Sequence, residues 1–151
     1  MEPRLDLTKE YGLVLEGGGA KGAYQIGAWK ALKEAGVKIK GVSGTSVGAL
    51  NGALICMDDL ERAENLWANI TYSQIINVDD ELMGRLFDKS QMKPEFLRET
   101  LKEIFRMLGE GGMDITPLRR LIEENIDEDL IRKSPVEFYS CTYSLTDRKE
   151  L

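Results

Sequence analysis

The chain has 151 residues, of which 42% are hydrophobic and 30% charged, which is typical of one globular domain and excludes the disordered, collagen-like and disulfide-scaffold classes. Its formal net charge of −6 argues against nucleic acid as a partner, because phosphate binding needs a basic face. The sequence contains no histidine, which excludes a Ser-His-Asp triad and removes the commonest zinc ligand. We therefore expect neither a nucleic-acid interface nor a metal site.

Nothing in the sequence predicts export or a membrane span. The first ten residues lack the apolar stretch of a signal peptide, and the longest apolar run, near residues 49–57, is too short to cross a bilayer. The two cysteines, Cys56 and Cys141, are far apart in sequence and are predicted to be buried, reduced thiols. Together these features predict a cytoplasmic protein.

The first third of the chain predicts two strand–turn–helix units. A strand at residues 12–16 precedes three glycines and a helix from Ala20 to Ala35, which Gly36 ends as a C-cap. A strand from Ile39 to Ser43 then precedes a short turn and an almost wholly apolar helix from Val47 to Met57. The predicted inner face of the first helix carries Tyr24, Ala28, Ala31, Leu32 and Ala35. This order of elements predicts an α/β fold with a mainly parallel central sheet.

The rest of the chain predicts helices and then one more strand. Three further helices are predicted, over residues 58–70, 80–87 and 94–108. Thr116-Pro117 begins another helix, with a cap and a proline at its first position. The alternating pattern from Val136 to Thr146 predicts a strand. We expect residues 1–151 to belong to a single domain, with a helical middle segment at about 58–133.

Ser46 lies in a Gly-x-Ser-x-Gly pentapeptide between a predicted strand and a predicted helix. That context is typical of a nucleophile elbow, in which Gly44 and Gly48 leave room for a tight turn and the serine hydroxyl is exposed at the end of the sheet. Backbone N–H groups and the helix dipole favour developing negative charge there. The alternative interpretation is structural, because a serine in front of a helix is commonly only an N-cap.

A second glycine-rich segment, Gly17-Gly18-Gly19-Ala20-Lys21-Gly22, also follows a predicted strand and opens a helix. Glycines let the backbone approach a ligand and turn its N–H groups toward it, and in an acyl hydrolase these donors would form the oxyanion hole. Lys21 lies in the first helical turn, where the helix dipole disfavours a cation by about 0.3–1 kcal/mol. Its position indicates either a nearby anion or developing charge, or a solvated lysine that the site tolerates.

The same segment, Gly17 to Gly22, matches the dinucleotide-binding pattern Gly-x-Gly-x-x-Gly. A dinucleotide site needs an acidic residue at the end of the second strand to bind the ribose, and that strand ends in Gly41-Val42-Ser43-Gly44 without one. Dinucleotide binding is therefore an alternative function. A non-catalytic binding module on the same fold is another.

Both glycine-rich turns together resemble those of the patatin-like phospholipase family. The resemblance is carried by LVLEGGGAKGAY at Leu13 to Tyr24 and VSGTSVGALN at Val42 to Asn51, and it extends to Asp114–Arg119 and to the strand Phe138–Thr146. It implies a three-layer α/β/α fold with a mainly parallel central sheet. It also implies a hydrolase that uses a Ser-Asp dyad without histidine, acts on acyl esters of lipids such as phospholipids or lysophospholipids, and needs no metal or organic cofactor.

Carried over residue by residue, the resemblance makes Ser46 the nucleophile. The residues that it implies for the oxyanion and substrate-binding loop are Gly17, Gly18, Gly19, Lys21 and Gly22, and those of the nucleophile elbow are Gly44 and Gly48. We also expect a lipid acyl ester as substrate, transient peripheral contact with a membrane, and a homodimer as one way to cover an exposed sheet edge.

The sequence departs from the family in one place. The dyad aspartate of the family stands in an Asp-Gly-Gly or Asp-Gly-Ala motif, whereas no aspartate of this chain is followed by glycine. We therefore expect an N-terminal portion of the family domain, incomplete at its C-terminus and weak or inactive alone. Asp114 and Asp147 are the alternative bases, although neither stands in a matching context.

Overall fold

A computed structural model of the chain describes residues 5–75, 114–144 and 146–150. Its strands and helices, in chain order, are β1 (Glu10–Leu15), α1 (Gly22–Glu34), β2 (Lys38–Gly44), α2 (Val47–Cys56), α3 (Leu60–Asn69), α4 (Thr116–Asn125), α5 (Glu128–Lys133), β3 (Glu137–Ser140), β4 (Tyr143–Ser144) and β5 (Lys149–Glu150). The helices predicted over 80–87 and 94–108 lie outside the described residues.

The chain divides into two compact units, one comprising residues 1–69 and 125–151 and the other residues 70–124. The second unit includes a 3-10 turn, Tyr72–Gln74, and most of α4. α4 begins at Thr116 as predicted, and the Thr116 N–H donates to Asp114 Oδ1 at 2.9 Å. Both glycine-rich segments belong to the first unit.

Three parallel strands form the sheet of the first unit, in the order β1-β2-β3. The central strand β2 brings the ends of all three together, since Gly44 is paired with Leu15 on one side and with Ser140 on the other. The predicted α/β class with a parallel sheet is therefore confirmed. The turns that follow β1 and β2 leave the sheet at neighbouring positions on one edge.

Helix α2 packs against all three strands and contributes much of the core. Its apolar composition, predicted to make it a buried helix, matches this position. The buried apolar residues of the first unit include Ile26, Trp29, Val42, Ala53, Leu54, Ile55, Cys56, Ala63 and Leu66. Gly52 lets α2 approach the sheet closely, since a Cβ there would lie 2.8 Å from the Phe138 ring.

The inner face of α1 differs from the predicted one. Gln25, Ile26 and Trp29 are buried, whereas Tyr24 is 81% exposed. α1 packs against α2 and α3, and a polar residue such as Gln25 can be buried there because its amide is hydrogen-bonded. From its apolar pattern alone, α1 would be expected to place position 25 outside the core-facing side.

Helix α3 begins at Leu60 and not at the predicted residue 58. Asp58 has a φ of 56°, which an α-helix does not accept. Asp59 takes the capping position, because its Oδ1 accepts the Arg62 N–H at 3.0 Å.

The strand predicted from Val136 to Thr146 is divided in two. β3 ends at Ser140, whereas β4 pairs in the antiparallel sense with β5. Ser144 Oγ donates to Asp147 Oδ2 at 3.0 Å and accepts the Asp147 N–H at 3.1 Å, which stabilises the turn between the two short strands. Both pieces are extended, so their alternating pattern reads as one strand.

The two cysteines lie in different environments. Cys56 is buried as predicted, and burial raises the pKa of its thiol to about 11. Cys141 is exposed, contrary to the prediction. It directly follows β3, where its N–H donates to Gly44 O at 3.0 Å and its side chain is left outside the core.

Candidate functional site

The turn after β2 holds Ser46 in a backbone conformation that few residues other than glycine adopt. Its φ is 53° and its ψ is −127°, values that belong to the glycine position of a type II′ turn. A side chain at such a position costs about 1–3 kcal/mol. The Thr45 N–H donates to Leu15 O at 3.2 Å and the Gly48 N–H to Thr45 O at 2.9 Å, so the turn is held to β1 and to α2.

Gly44 and Gly48 are buried where the turn leaves no room for a side chain. A Cβ at Gly44 would collide with the carbonyl group of Gly48. A Cβ at Gly48 would collide with the carbonyl group of Leu15 and lie 2.9 Å from Glu16 O. The start of α2 therefore packs backbone to backbone against the end of β1.

The Ser46 side chain does not cap α2. Ser46 occupies the N-cap position but makes no side-chain capping hydrogen bond. Its carbonyl oxygen accepts the N–H groups of Ala49 and Leu50 at 2.9 and 3.4 Å. The residue is exposed, and no side chain in the described part of the chain forms a hydrogen bond with its hydroxyl. The capping interpretation thus has no support in this geometry.

The glycine-rich loop passes directly beside Ser46. A Cβ placed on Gly17 would lie 3.2 Å from Ser46 Cβ and 3.8 Å from Ser46 Oγ. Gly18 and Gly19 have φ values of 144° and 55°, which favour glycine at both positions. Among the described residues, none accepts a hydrogen bond from the N–H of Gly18 or Gly19. The loop continues through a 3-10 turn, Gly19–Lys21, into α1.

Lys21 has an anionic partner within the chain. Its Nζ lies 3.8 Å from Glu16 Oε1, and the two side chains are 72% and 76% exposed. Such an exposed pair contributes little to stability. Glu16 precedes the three glycines and Lys21 follows them, and both charges are accessible to a ligand.

Gly22 allows close packing of α1, α2 and α3. A Cβ at Gly22 would collide with the Trp67 ring and would lie 2.7 Å from Val47 Cγ2. Since Val47 directly follows Ser46, the last glycine of the loop is packed against the beginning of the serine-bearing helix.

An open groove of about 470 Å³ runs along β1 and α1. Its lining includes Leu13, Leu15, Tyr24, Ala28 and Leu32, and it reaches Glu16 and Lys21. Three of the five residues predicted to face the core, Tyr24, Ala28 and Leu32, line this groove instead. The other two, Ala31 and Ala35, are exposed. An apolar surface begins directly at the glycine-rich loop.

A buried polar network lies behind the loop. Asn51 is completely buried, and its Nδ2 donates to Gly22 O at 3.0 Å and to Gln25 Oε1 at 2.8 Å. Its Oδ1 accepts the Trp67 indole N–H at 2.8 Å. Gln25 Nε2 donates in turn to Glu16 O at 2.8 Å. Sequence reasoning missed this network, although an asparagine in an otherwise apolar helix was its signal.

The two aspartates considered as alternative bases have local partners. Asp114 belongs to the second unit, where it accepts the Thr116 N–H. Asp147 belongs to the first unit and accepts the Ser144 hydroxyl. Neither contact involves Ser46, so these hydrogen bonds do not single out either carboxylate as its base.

Across residues 5–75, 114–144 and 146–150, no group of three or more His, Cys, Asp and Glu side chains is arranged to hold a metal ion. In the same ranges, no helix combines the length and the apolar character needed to cross a membrane.

Comparison with known proteins gives a family. The model of the patatin-like phospholipases matches residues 13–148. The lysophospholipase nte1 of Aspergillus terreus is 56% identical over 50 residues, which are 33% of this chain and 3% of that protein. The neuropathy target esterases sws of Drosophila sechellia and Drosophila persimilis are each 60% identical over 47 residues, 31% of this chain and 3% of theirs. No solved structure matches.

The chain spans about 3% of the length of these curated relatives. The family match, in contrast, covers most of the chain and includes both glycine-rich segments. The chain therefore belongs to the patatin-like phospholipases, a family of lipid hydrolases.

Proposed function

We propose that this chain provides the nucleophile and the oxyanion-binding loop of a serine hydrolase that cleaves acyl esters of lipids. The observation that carries the proposal is Ser46 itself, which is strained, exposed and not used as a cap, and which lies beside Gly17. Strain of this kind, at a position where glycine would relieve it, is typical of functional sites.

In the proposed reaction, Ser46 Oγ attacks the ester carbonyl carbon while its proton passes to a general base. The N–H groups of Gly18 and Gly19 stabilise the oxyanion of the tetrahedral intermediate. Its collapse breaks the bond to the alcohol oxygen, which takes up the proton, and leaves an acyl ester on Ser46. Water then attacks the acyl carbon, the fatty acid is released, and the serine hydroxyl is regenerated.

The base in this proposal is the aspartate of a Ser-Asp dyad. The proposal assigns that role to no residue of this chain, because none of its aspartates is followed by glycine. Loss of a member of a catalytic unit typically costs orders of magnitude in rate. Both acylation and deacylation use the base, so we expect these 151 residues to accept an acyl group on Ser46 slowly, through the residual effect of the oxyanion-binding loop, and to turn over slowly.

The groove along β1 supports a substrate with a long acyl chain. It is lined by apolar side chains from the glycine-rich loop onward, and each buried methylene stabilises the complex by about 0.8 kcal/mol. Two of the relatives are named lysophospholipase and neuropathy target esterase, which supports carboxylic esters as the bond class. We propose a cytoplasmic protein that meets such lipids by transient, peripheral contact with a membrane.

The two alternatives have less support. No contact in the described residues favours dinucleotide binding, and the family match includes the Gly17 to Gly22 segment on which that reading depends. A non-catalytic module would keep the fold without acyl transfer. The experiment that follows separates it from the hydrolase.

Acyl transfer from p-nitrophenyl octanoate, read by intact mass, tests the proposal. We expect one octanoyl group on Ser46, no adduct in Ser46→Ala, and an unchanged adduct in Ser140→Ala, which removes an exposed serine from the neighbouring strand end. A folded chain that takes up no acyl group, or an adduct that persists in Ser46→Ala, would contradict the proposal.

The same assay tests the groove. The octanoate should acylate Ser46 at least about tenfold faster than the acetate, because only the longer chain gains apolar contacts. Ala28→Trp, which fills the groove, should remove this preference. Ala31→Trp, on the exposed side of α1, should keep it.

A further inference from the structure

Among the described residues of the first unit, Asn51 is the most buried polar side chain, with an exposure of 0%. Burial of an amide is unfavourable unless its oxygen and nitrogen are hydrogen-bonded, and both are satisfied here by three different residues. A fully satisfied network of this kind makes the surrounding structure rigid and specific.

The network reaches both ends of the glycine-rich loop. At the end of the loop, Asn51 Nδ2 donates directly to Gly22 O. At the beginning, Asn51 acts through Gln25, which accepts from Asn51 and donates to Glu16 O. Glu16, just before the loop, and Gly22, its last residue, are therefore held by Asn51 and its partner Gln25.

The network also reaches α2, the helix that directly follows Ser46. Asn51 lies on α2 four residues after Val47, the neighbour of Ser46, about 6 Å along the helix axis. The same helix is fixed against β1 by the packing of Gly48 on the carbonyl groups of Leu15 and Glu16. Asn51 thus joins the loop to the element that sets the position of the serine.

We propose that Asn51, acting with Gln25, is a positioning residue that fixes the oxyanion-binding loop relative to Ser46. This inference rests on the proposed function. Three successive glycines are conformationally permissive, so the loop needs fixed ends if its N–H groups are to be preorganised. A displacement of about 1 Å in such a site lowers the rate about 100-fold.

The test uses Gln25→Met, because substitution of Asn51 itself would remove the hydrogen-bond partner of three residues at once. Gln25→Met keeps the length of the side chain and releases Glu16 O. The control is Lys30→Met, which breaks the 2.7 Å contact with Glu64 between α1 and α3 but does not touch the network. Both variants replace a polar side chain of α1 by the same residue.

The measured quantities are the maximal rate constant of a fluorophosphonate reaction with Ser46 and the reagent concentration at half of that rate. Gln25→Met should lower the rate constant about 10- to 100-fold and leave the half-saturating concentration within about threefold. Lys30→Met should change neither by more than about threefold. If both variants lower the rate constant, and each does so in proportion to the decrease in its urea midpoint, the positioning role would be overturned.

Amide hydrogen exchange at Lys21, whose N–H donates to Gly18 O at 3.2 Å within the loop, gives a second reading that needs no catalysis. Exchange should be faster in Gln25→Met and unchanged in Lys30→Met. If the wild type reacts and Gln25→Met matches it in rate and exchange, only the positioning role is overturned. If the folded wild type does not react, the proposed function fails. Equal exchange in the wild type and Gln25→Met would then overturn the ordering of the loop independently.

Discussion

Ser46→Gly should give a chain that is more stable than the wild type and that accepts no acyl group. Glycine adopts a φ of 53° and a ψ of −127° without the strain that a side chain causes, which favours the variant by about 1–3 kcal/mol. The greater freedom of glycine in the unfolded chain offsets about 0.5–1 kcal/mol of this. We expect a net gain of about 1 kcal/mol in the free energy of unfolding, measured by urea denaturation.

Two further serine variants separate strain from a general effect of glycine. Ser140→Gly, in β3, should lose about 0.5–1 kcal/mol, because its backbone is not at a positive φ. Ser46→Ala should lose the acyl group but leave stability nearly unchanged, since alanine keeps the strain. If Ser46→Gly were less stable than Ser46→Ala, the turn would not be strained and the main argument for a functional serine would fail.

Gly48→Ala should strongly disrupt the site. The added Cβ would meet the carbonyl groups of Leu15 and Glu16, which belong to the backbone at the end of β1 and just beyond it. Neither can move without displacing the strand end or the glycine-rich loop. We expect a loss of about 3 kcal/mol in urea denaturation and a decrease of about 100-fold in the acylation rate of the folded fraction.

Gly27→Ala is the matched control for this substitution. Gly27 also lies in a helix, α1, but a Cβ there would have no atom within 4 Å outside the backbone of its own helix. Alanine should therefore stabilise α1 by about 0.5–1 kcal/mol and leave acylation unchanged. A Gly48→Ala variant as stable and as reactive as Gly27→Ala would show that the close packing of α2 on β1 is not required.

The elements around the two glycine-rich turns could be predicted because local signals and tertiary structure agree there. The bounds of β1, α1, β2 and α2 fall within about two residues of the predicted ones. Gly36, with a φ of 75°, follows α1 as a glycine just past a helix is expected to. The strand–serine–helix order also located the turn that holds Ser46, since its tight backbone depends on residues that are adjacent in sequence.

The features that failed depend on contacts between distant residues. Tyr24 and Gln25 are neighbours, yet the polar one is buried because Asn51 and Glu16 O satisfy its amide. Hydrophobic periodicity cannot detect such a partner. The division of the last predicted strand has the same cause, because β4 separates from β3 in order to pair with β5, and pairing is not a property of the strand itself.

The sequence does contain a signal for the buried network, at Asn51. It stands alone as a polar residue among apolar ones from Val47 to Cys56, and a polar residue in a buried helix requires a partner. The pattern thus indicates that a network exists. It does not reveal that the partners are Gly22, Gln25 and Trp67, because these come from two other helices.

The most direct test of the central claim is intact-mass analysis of the folded chain after reaction with a fluorophosphonate, followed by peptide mapping. In this reaction Ser46 Oγ forms a bond to phosphorus, fluoride leaves and the hydroxyl proton passes to solvent. The serine and the adjacent loop lie within this chain, and without the dyad aspartate the reaction is expected to be slow, so it is followed over a prolonged incubation with excess reagent. We predict a single adduct on Ser46 that is absent in Ser46→Ala and retained in Ser140→Ala. An adduct on any other residue, or a folded chain without an adduct after the prolonged incubation, would contradict the assignment of Ser46 as the nucleophile.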